Sequence, residues 1–377
     1  VAASRDGRAV VAWESSVGGP VMAAARAPDG AWSPSHTLSG RGAAAPRVAM
    51  SPQGAVAVWD APGPGGRSQV EVAGERNGTW APATALGTPE GSSPLKPRIA
   101  AGADGTVAVA WRTRRGLGVA VRTPGGTWSE DSVPGAHSVF ELDVAVGRGG
   151  LVAVTWSATV ASGRPLLTAL RRPGGEWTAP EDLSARADVV SAPRIAAVGA
   201  GFAAVWTVRP DEDHEIVRAA TTRGDAWGSA VTLAPVAPRA LGLPRPPGPP
   251  TTGPSLAADG DAAVAAWSRG RGGGQQTAMV SRHAGGAWSA PRPVGDAPSS
   301  GWPAVADGGV VAFEELRGSA LRVAVGRDGT STCCAVASPP RVEASAPSAA
   351  PVGDGTLVAW QNSNTGGVAA SVARGCG

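Results

Sequence analysis

PRIAAGADGTVAVAWRTRRGLGVAVRTPGGTWS, residues 97–129, parses into four extended pieces joined by tight turns. Pro97 to Ala101 is a short apolar run, and Asp104-Gly105 is a two-residue turn of the kind that reverses antiparallel strands. Thr106 to Trp111 alternates as a strand, with Val107, Val109 and Trp111 on one face and Ala108 and Ala110 on the other. Gly118 to Arg122 makes a third strand, and Gly125-Gly126 turns the chain into a fourth that opens with Trp128. A four-stranded meander of roughly fifty residues has the size of one β-propeller blade.

The chain rewrites this stretch along its whole length. The first copy has Asp6-Gly7, the strands Ala9 to Trp13 and Val21 to Arg26, and Asp29-Gly30 before Trp32; its opening strand, Val1 to Ser4, is short. The second has Pro46-Arg47-Val48, a strand ending at Trp59, and Asn77-Gly78 before Trp80. Later copies are marked by Trp156 with Trp177, by Pro193-Arg194-Ile195 with Trp206 and Trp227, and by Asp259-Gly260 with Trp267 and Trp288. A seventh keeps Asp307-Gly308 but has Phe313 in place of Trp and no Trp in its fourth strand. The eighth runs from Pro347 through Asp354-Gly355 and Trp360 to Ala373, and stops before a fourth strand.

Second-strand aromatics therefore fall at 13, 59, 111, 156, 206, 267, 313 and 360, in steps of 46, 52, 45, 50, 61, 46 and 47. That period predicts an all-β propeller of eight four-stranded blades, or seven if a terminal repeat is only partly used, spanning residues 1–377 as a single domain. The longest step contains Pro235 to Gly253, a Pro-rich segment that reads as an extended inter-blade loop.

Composition agrees with such a fold. Hydrophobic residues make up 42% of the chain, mostly Ala and Val, with 14 Trp, 3 Phe and no Tyr. Strands covered on both faces by neighbouring blades read as continuous apolar runs, with small residues where blades converge and Trp where they diverge. The formal charge is +3 and Lys96 is the sole lysine. The arginines are scattered, apart from the trio Arg112, Arg114 and Arg115, which argues against nucleic acid as a partner. Gly, Pro and Arg interrupt every apolar run, so no stretch approaches the roughly 20 apolar residues of a membrane-spanning helix. No charged-then-apolar leader precedes the first repeat, so any secretion signal is expected to lie outside these residues.

The turns into the fourth strands read APDGAW at 27–32, RNGTW at 76–80, PGGTW at 124–128 and PGGEW at 173–177. They resemble degenerate forms of the Asp-box turn of sialidase-type (BNR-repeat) propellers, Ser-x-Asp-x-Gly-x-x-Trp; Asp29 keeps the acidic residue near its expected place, and the leading Ser is absent. The rhythm of Asp-Gly, two strands, Gly-Gly-x-Trp-Ser and a later Leu is also similar to that of bacterial fucose-binding lectin propellers. The resemblance to sialidases implies a Tyr nucleophile, a carboxylate partner and an arginine triad. A chain without tyrosine lacks that nucleophile.

Loops between second and third strands open on the face opposite the Gly-Gly-Trp turns. The residue after each second-strand aromatic is expected on that face, giving a mixed polar ring of Glu14, Asp60, Arg112, Ser157, Thr207, Ser268, Glu314 and Gln361. With the neighbouring Arg114, Arg115 and Glu315, the charged members are candidate ligand-binding residues, and Glu14, Asp60, Glu314 and Glu315 are the carboxylates on which a glycosidase would have to draw. The bland reading of the ring is a solvated loop rim. The repeated Trp residues read as core and not as sugar platforms, because their place in the repeat is fixed.

Other polar features carry less. DEDHE at 211–215 lacks the alternate ligand spacing of a calcium loop. His36, His137, His214 and His283 fall at unrelated positions and form no metal spacing, so neither metal nor cofactor is expected. Gly272 to Gly274 lacks the Lys and helix of a phosphate loop.

The only cysteines are Cys333, Cys334 and Cys376, in the two repeats that have lost a Trp or a strand. A disulfide from Cys376 to Cys333 or Cys334 would tie the last repeat to the one before it. Since adjacent strand residues point to opposite faces, only one of the two can serve. Such a bond needs an oxidising compartment, which places the protein outside the cytoplasm. Together these readings give a secreted, non-catalytic propeller module that recognises a glycan. The alternatives are a glycoside hydrolase or lyase using carboxylates of the polar face, and a protein-interaction scaffold.

Overall fold

The computed structural model describes the chain except residues 91–94, 162, 185–188, 210–213, 224–225, 239–252, 273–274, 295–298, 318–319, 328–334, 337, 339–343, 363–366 and 375–377. The described residues are all-β and form eight antiparallel blades of a β-propeller. They fall into two compact units, Val1–Ala161 with Leu166–Asp182 and Ser162–Pro165 with Leu183–Gly377.

The first unit carries blades 1 to 4. Blade 3 realises the quoted stretch: strands Arg98–Ala101, Val107–Arg112, Leu117–Arg122 and Trp128–Ser132 pair in sequence order. Its first turn is held by Asp104, whose Oδ1 accepts the Thr106 N–H at 3.0 Å, while Gly105 supplies a φ of +91°. Blade 1 (Ala2–Ala3, Ala9–Glu14, Val21–Arg26, His36–Thr37), blade 2 (Ala44–Ser51, Gly54–Pro62, Ser68–Arg76, Thr79–Trp80 with Thr84–Glu90) and blade 4 (Val139–Val146, Val152–Ala158, Leu166–Arg171, Glu181–Asp182) follow the same order.

The second unit carries blades 5 to 8. Blade 5 comprises Gln-free strands Val190–Val198, Gly201–Val208, His214–Arg223, Ala226–Trp227 and Val231–Pro238, and blade 6 comprises Ser255–Asp259, Ala262–Gly272, Gln275–Ala284, Ala287–Trp288 and Arg292–Pro293. Blade 7 has Ser299–Ala306, Val310–Arg317, Ala320–Arg327 and Ala335–Val336; blade 8 has Ala344–Val352, Gly355–Asn362 and Gly367–Ala373.

Within each unit the core lies between blades. Along Gly54–Pro62, Ala55, Ala57 and Trp59 belong to the cluster shared with blade 1, whereas Val56 and Val58 belong to the one shared with blade 3. Val107, Val109 and Trp111 likewise face blade 2, and Ala108 and Ala110 face blade 4, as the alternation predicts. The second-strand aromatic faces the preceding blade again at Trp156, Trp267, Phe313 and Trp360.

One boundary differs from expectation. The Pro-rich segment does not begin as a loop: residues 235–238 end the strand Val231–Pro238, with Ala237 opposite Glu215 and Pro238 opposite His214. Register shifts beside Val217 accommodate a proline-bearing outer strand, the place in a sheet where a missing N–H is tolerated. Residues 239–252 lie outside the described residues, as do Cys333, Cys334 and Cys376 of the expected disulfide. Among the described residues no helix is long and apolar enough to cross a membrane.

Candidate functional site on the loop face of blades 2 to 4

Period-2 alternation turns Glu14 and Asp60, each following a second-strand Trp, toward the following blade, and there they meet a strained entry. The first strands of blades 2 and 5 carry register shifts, between Ala44 and Arg47 and between Ser191 and Arg194. Ala45, Lys96, Ser138 and Ala192, at four blade entries, take φ values of +53°, +49°, +52° and +49°. A left-handed non-glycine residue costs about 1 to 2 kcal/mol, so the entry needs support. Glu14 provides it at blade 2, its Oε1 accepting the Ala45 N–H at 2.8 Å. Asp60 does the same at blade 3, its Oδ2 accepting the Leu95 N–H at 2.7 Å.

The polar ring is therefore largely interior. Asp60, Ser157, Thr207 and Glu314 are buried, Glu14, Arg112 and Ser268 are half-buried, and Gln361 is exposed. A fully solvated rim does not describe Glu14 and Asp60, because the next blade packs over each of them. Glu315 lies in the strand Val310–Arg317, paired opposite Ser299 and Arg322.

Asp60 is shifted by its surroundings. Burial pushes its carboxyl above the usual value of 3.8, against the opposing pull of the Leu95 N–H, the Ser68 hydroxyl and the Arg112 charge. The folded state thus holds the proton more tightly than the unfolded chain, and this group's contribution makes stability fall as pH rises from 3.8 toward the raised value. Asp60→Asn keeps an acceptor for Leu95 and is expected to remove that slope in denaturant titrations across the acidic range. Asp60→Ala leaves a buried N–H unpaired and is expected to cost about 1 to 3 kcal/mol at neutral pH.

Around Asp60 the face becomes basic. Arg112 closes the strand Val107–Arg112, and its N–H donates to Leu95 O at 3.0 Å. Arg114 and Arg115 stand exposed at the tip of the next hairpin, which Thr113 fixes by accepting the Arg115 and Gly116 N–H groups at 3.3 and 2.9 Å. The exposed His137 at the blade 4 entry lies with its Nδ1 3.4 Å from Arg115 O. Phe140 is 39% exposed, and the Lys96 ammonium stands 5.9 Å from its ring centroid. The basic hairpin thus lies against His137 at the blade 4 entry, and Lys96 stands over the one exposed aromatic ring described there.

Lys96, His137 and Phe140 were not among the candidates read from sequence, and the blade entries that bring them beside the hairpin are visible only in three dimensions. A further set went unread although its signal was present. Arg47 and Arg98 share one register position on their first strands, opposite Val58 and Ala110, and Arg194 has the same register opposite Val205. The recurring Pro-Arg pair marks all three. Blade 4 places Asp143 at this position, opposite Thr155, and it meets Arg98 at 3.8 Å. Among the described residues no group of three or more His, Cys, Asp or Glu side chains is placed to hold a metal ion.

No known family model matches the chain, and no curated protein matches it. Solved structures do. A polysaccharide lyase superposes with a TM-score of 0.54 at 9% identity, covering 87% of this chain and 89% of its own. The β-propeller domain of a protease from Pyrococcus furiosus gives 0.49 at 11% identity, covering 88% of this chain and 95% of its own. A Hadza microbial sialidase gives 0.42 at 15% identity, covering 83% and 74%. What the chain shares with the lyase over most of both lengths is the propeller fold.

Proposed function

We propose that the protein is a secreted, non-catalytic propeller module that binds an acidic glycan on the loop face of blades 3 and 4. The observation that carries this is the basic hairpin of Arg112, Arg114 and Arg115, with His137 beside Arg115 and Lys96 over the exposed ring of Phe140. Cations suit carboxylate or sulfate groups and an exposed ring suits a sugar face. Glu14 and Asp60 support the non-catalytic half of the proposal, since each is already engaged by a backbone N–H of the next blade. The kinship with sialidase-type propellers, in which an Asp-box closes the outer turn, belongs to the same proposal: Asp29 Oδ1 accepts the Ala31 N–H at 2.9 Å in that turn. So does the disulfide from Cys376 to Cys333 or Cys334, with the extracytoplasmic location it requires.

Calorimetric titration with hyaluronan, polygalacturonate and sialyllactose tests the proposal. The double variant Arg114→Ala, Arg115→Ala should bind at least about tenfold more weakly, and added salt should weaken the parent. Asp29→Asn, at the other end of its blade, should bind normally. Affinity that survives the loss of both arginines would remove the site.

The second reading is a glycoside hydrolase or lyase. It is favoured by Asp60, a buried carboxyl with a raised pKa beside Arg112, as a general acid would be. Release of reducing sugar or of an unsaturated uronate from the same ligands, abolished by Asp60→Asn, would replace the first reading with this one.

A further inference from the structure

The outer ends of blades 1, 3 and 4 repeat one device. The third-strand residue paired with the outer-strand Trp is Arg26 opposite Trp32, Arg122 opposite Trp128 and Arg171 opposite Trp177. In blades 3 and 4 the guanidinium bridges the seam to the preceding blade. Arg122 lies over Trp128 at 5.0 Å from the ring centroid, and its Nη1 comes 4.0 Å from where a Cβ on Gly74 of blade 2 would sit. Arg171 reaches Asp131 of blade 3 at 3.8 Å. Adjacent blades diverge at their outer ends, and these arms fill the wedge between them.

Blades 2, 5 and 6 lack the arm; in blade 2 Glu75 stands opposite Trp80. Thr222 stands opposite Trp227, and His283 stands opposite Trp288. The imidazole is shorter than a guanidinium arm and leans on its own Trp288, with centroids 5.4 Å apart and planes at 55°. Between blades 5 and 6 runs a cleft of about 780 Å³, with Trp227 on one wall, Trp288 and His283 on the other, and Thr221, Ser229 and Thr232 among its lining. Ser229 and Thr232 are exposed, while both indoles are half-buried. Among the described residues no carboxylate, arginine or lysine lines it.

We infer that the seam between blades 5 and 6 is a binding site for an uncharged saccharide unit. Two indole rings with hydroxyl groups nearby, in a concave space of ligand size, suit the apolar face and hydroxyl edge of a pyranose. A lining without fixed charge gives an acidic sugar no counter-ion. The site is separate from the loop face of blades 3 and 4, differs from it in ligand charge, and can fail or stand without it.

The experiment titrates the full chain with methyl glycosides of galactose, mannose, fucose and N-acetylglucosamine, read by ligand-observed NMR and by tryptophan fluorescence. At least one is expected to bind at millimolar concentration. His283→Arg restores the arm found in blades 3 and 4, so it should leave the thermal midpoint unchanged or higher while weakening that binding at least about tenfold. Trp227→Ala should weaken it similarly, and if either variant fails to fold the other decides. Acidic-glycan binding, if present, should be unaltered in both. The inference is overturned if none of the four glycosides binds, or if the folded variants bind as the parent does.

Discussion

Trp111→Ala is expected to lower the unfolding free energy by about 3 to 5 kcal/mol, read as a shift of the urea midpoint without loss of cooperativity. The indole is only 4% exposed and lies in the core between blades 2 and 3, among Val56, Val58, Val70, Val72 and Leu86. Two glycines make room for it: a Cβ on Gly118 would come 2.6 Å from the ring, and one on Gly87 2.9 Å. Backbone that close cannot grow inward, and the valines around it are too short to refill the space, so the cavity stays. A variant that melts like the parent and loses glycan binding instead would show that this ring serves a ligand.

Gly116→Ala is expected to cost about 3 kcal/mol or more and to disturb the loop face as well. Gly116 has a φ of +154°, unfavourable for a side chain, and an added Cβ would collide with the backbone carbonyl of Ala136. The collision separates the Arg114-Arg115 hairpin from the blade 4 entry that carries His137 and Phe140. Unfolding midpoint and acidic-glycan affinity should therefore fall together, and a drop in stability with unchanged affinity would detach the hairpin from the proposed site.

The sequence made the blades legible because each is a local event. Asp104-Gly105 specifies a turn by its own chemistry, and the alternation from Val107 to Trp111 allots each side chain to a face. The same alternation held a further message about Asp60, which must point to the blade that Trp59 does not face. Reading it as a loop rim overlooked how far the next blade's entry reaches over it, since the left-handed residue at Lys96 leaves no sequence signature. The cleft beside Trp227 and Trp288 was hidden for a related reason. Its walls come from two repeats, and only comparing Thr222 and His283 with Arg122 and Arg171 shows that something is missing.

The shortness of the outer strands in blades 1 and 4 has a consequence for how the protein behaves when concentrated. His36–Thr37 and Glu181–Asp182 are each two residues long. The longer Trp128–Ser132 displays Glu130 and Asp131 on exposed positions. An edge of two residues gives an incoming strand too few hydrogen bonds to hold it, and an acidic edge repels its own copy. A chain so rich in Ala and Val strands would otherwise be prone to intermolecular sheet growth; at blades 1, 3 and 4 these clipped or charged margins oppose the templating of fibrils.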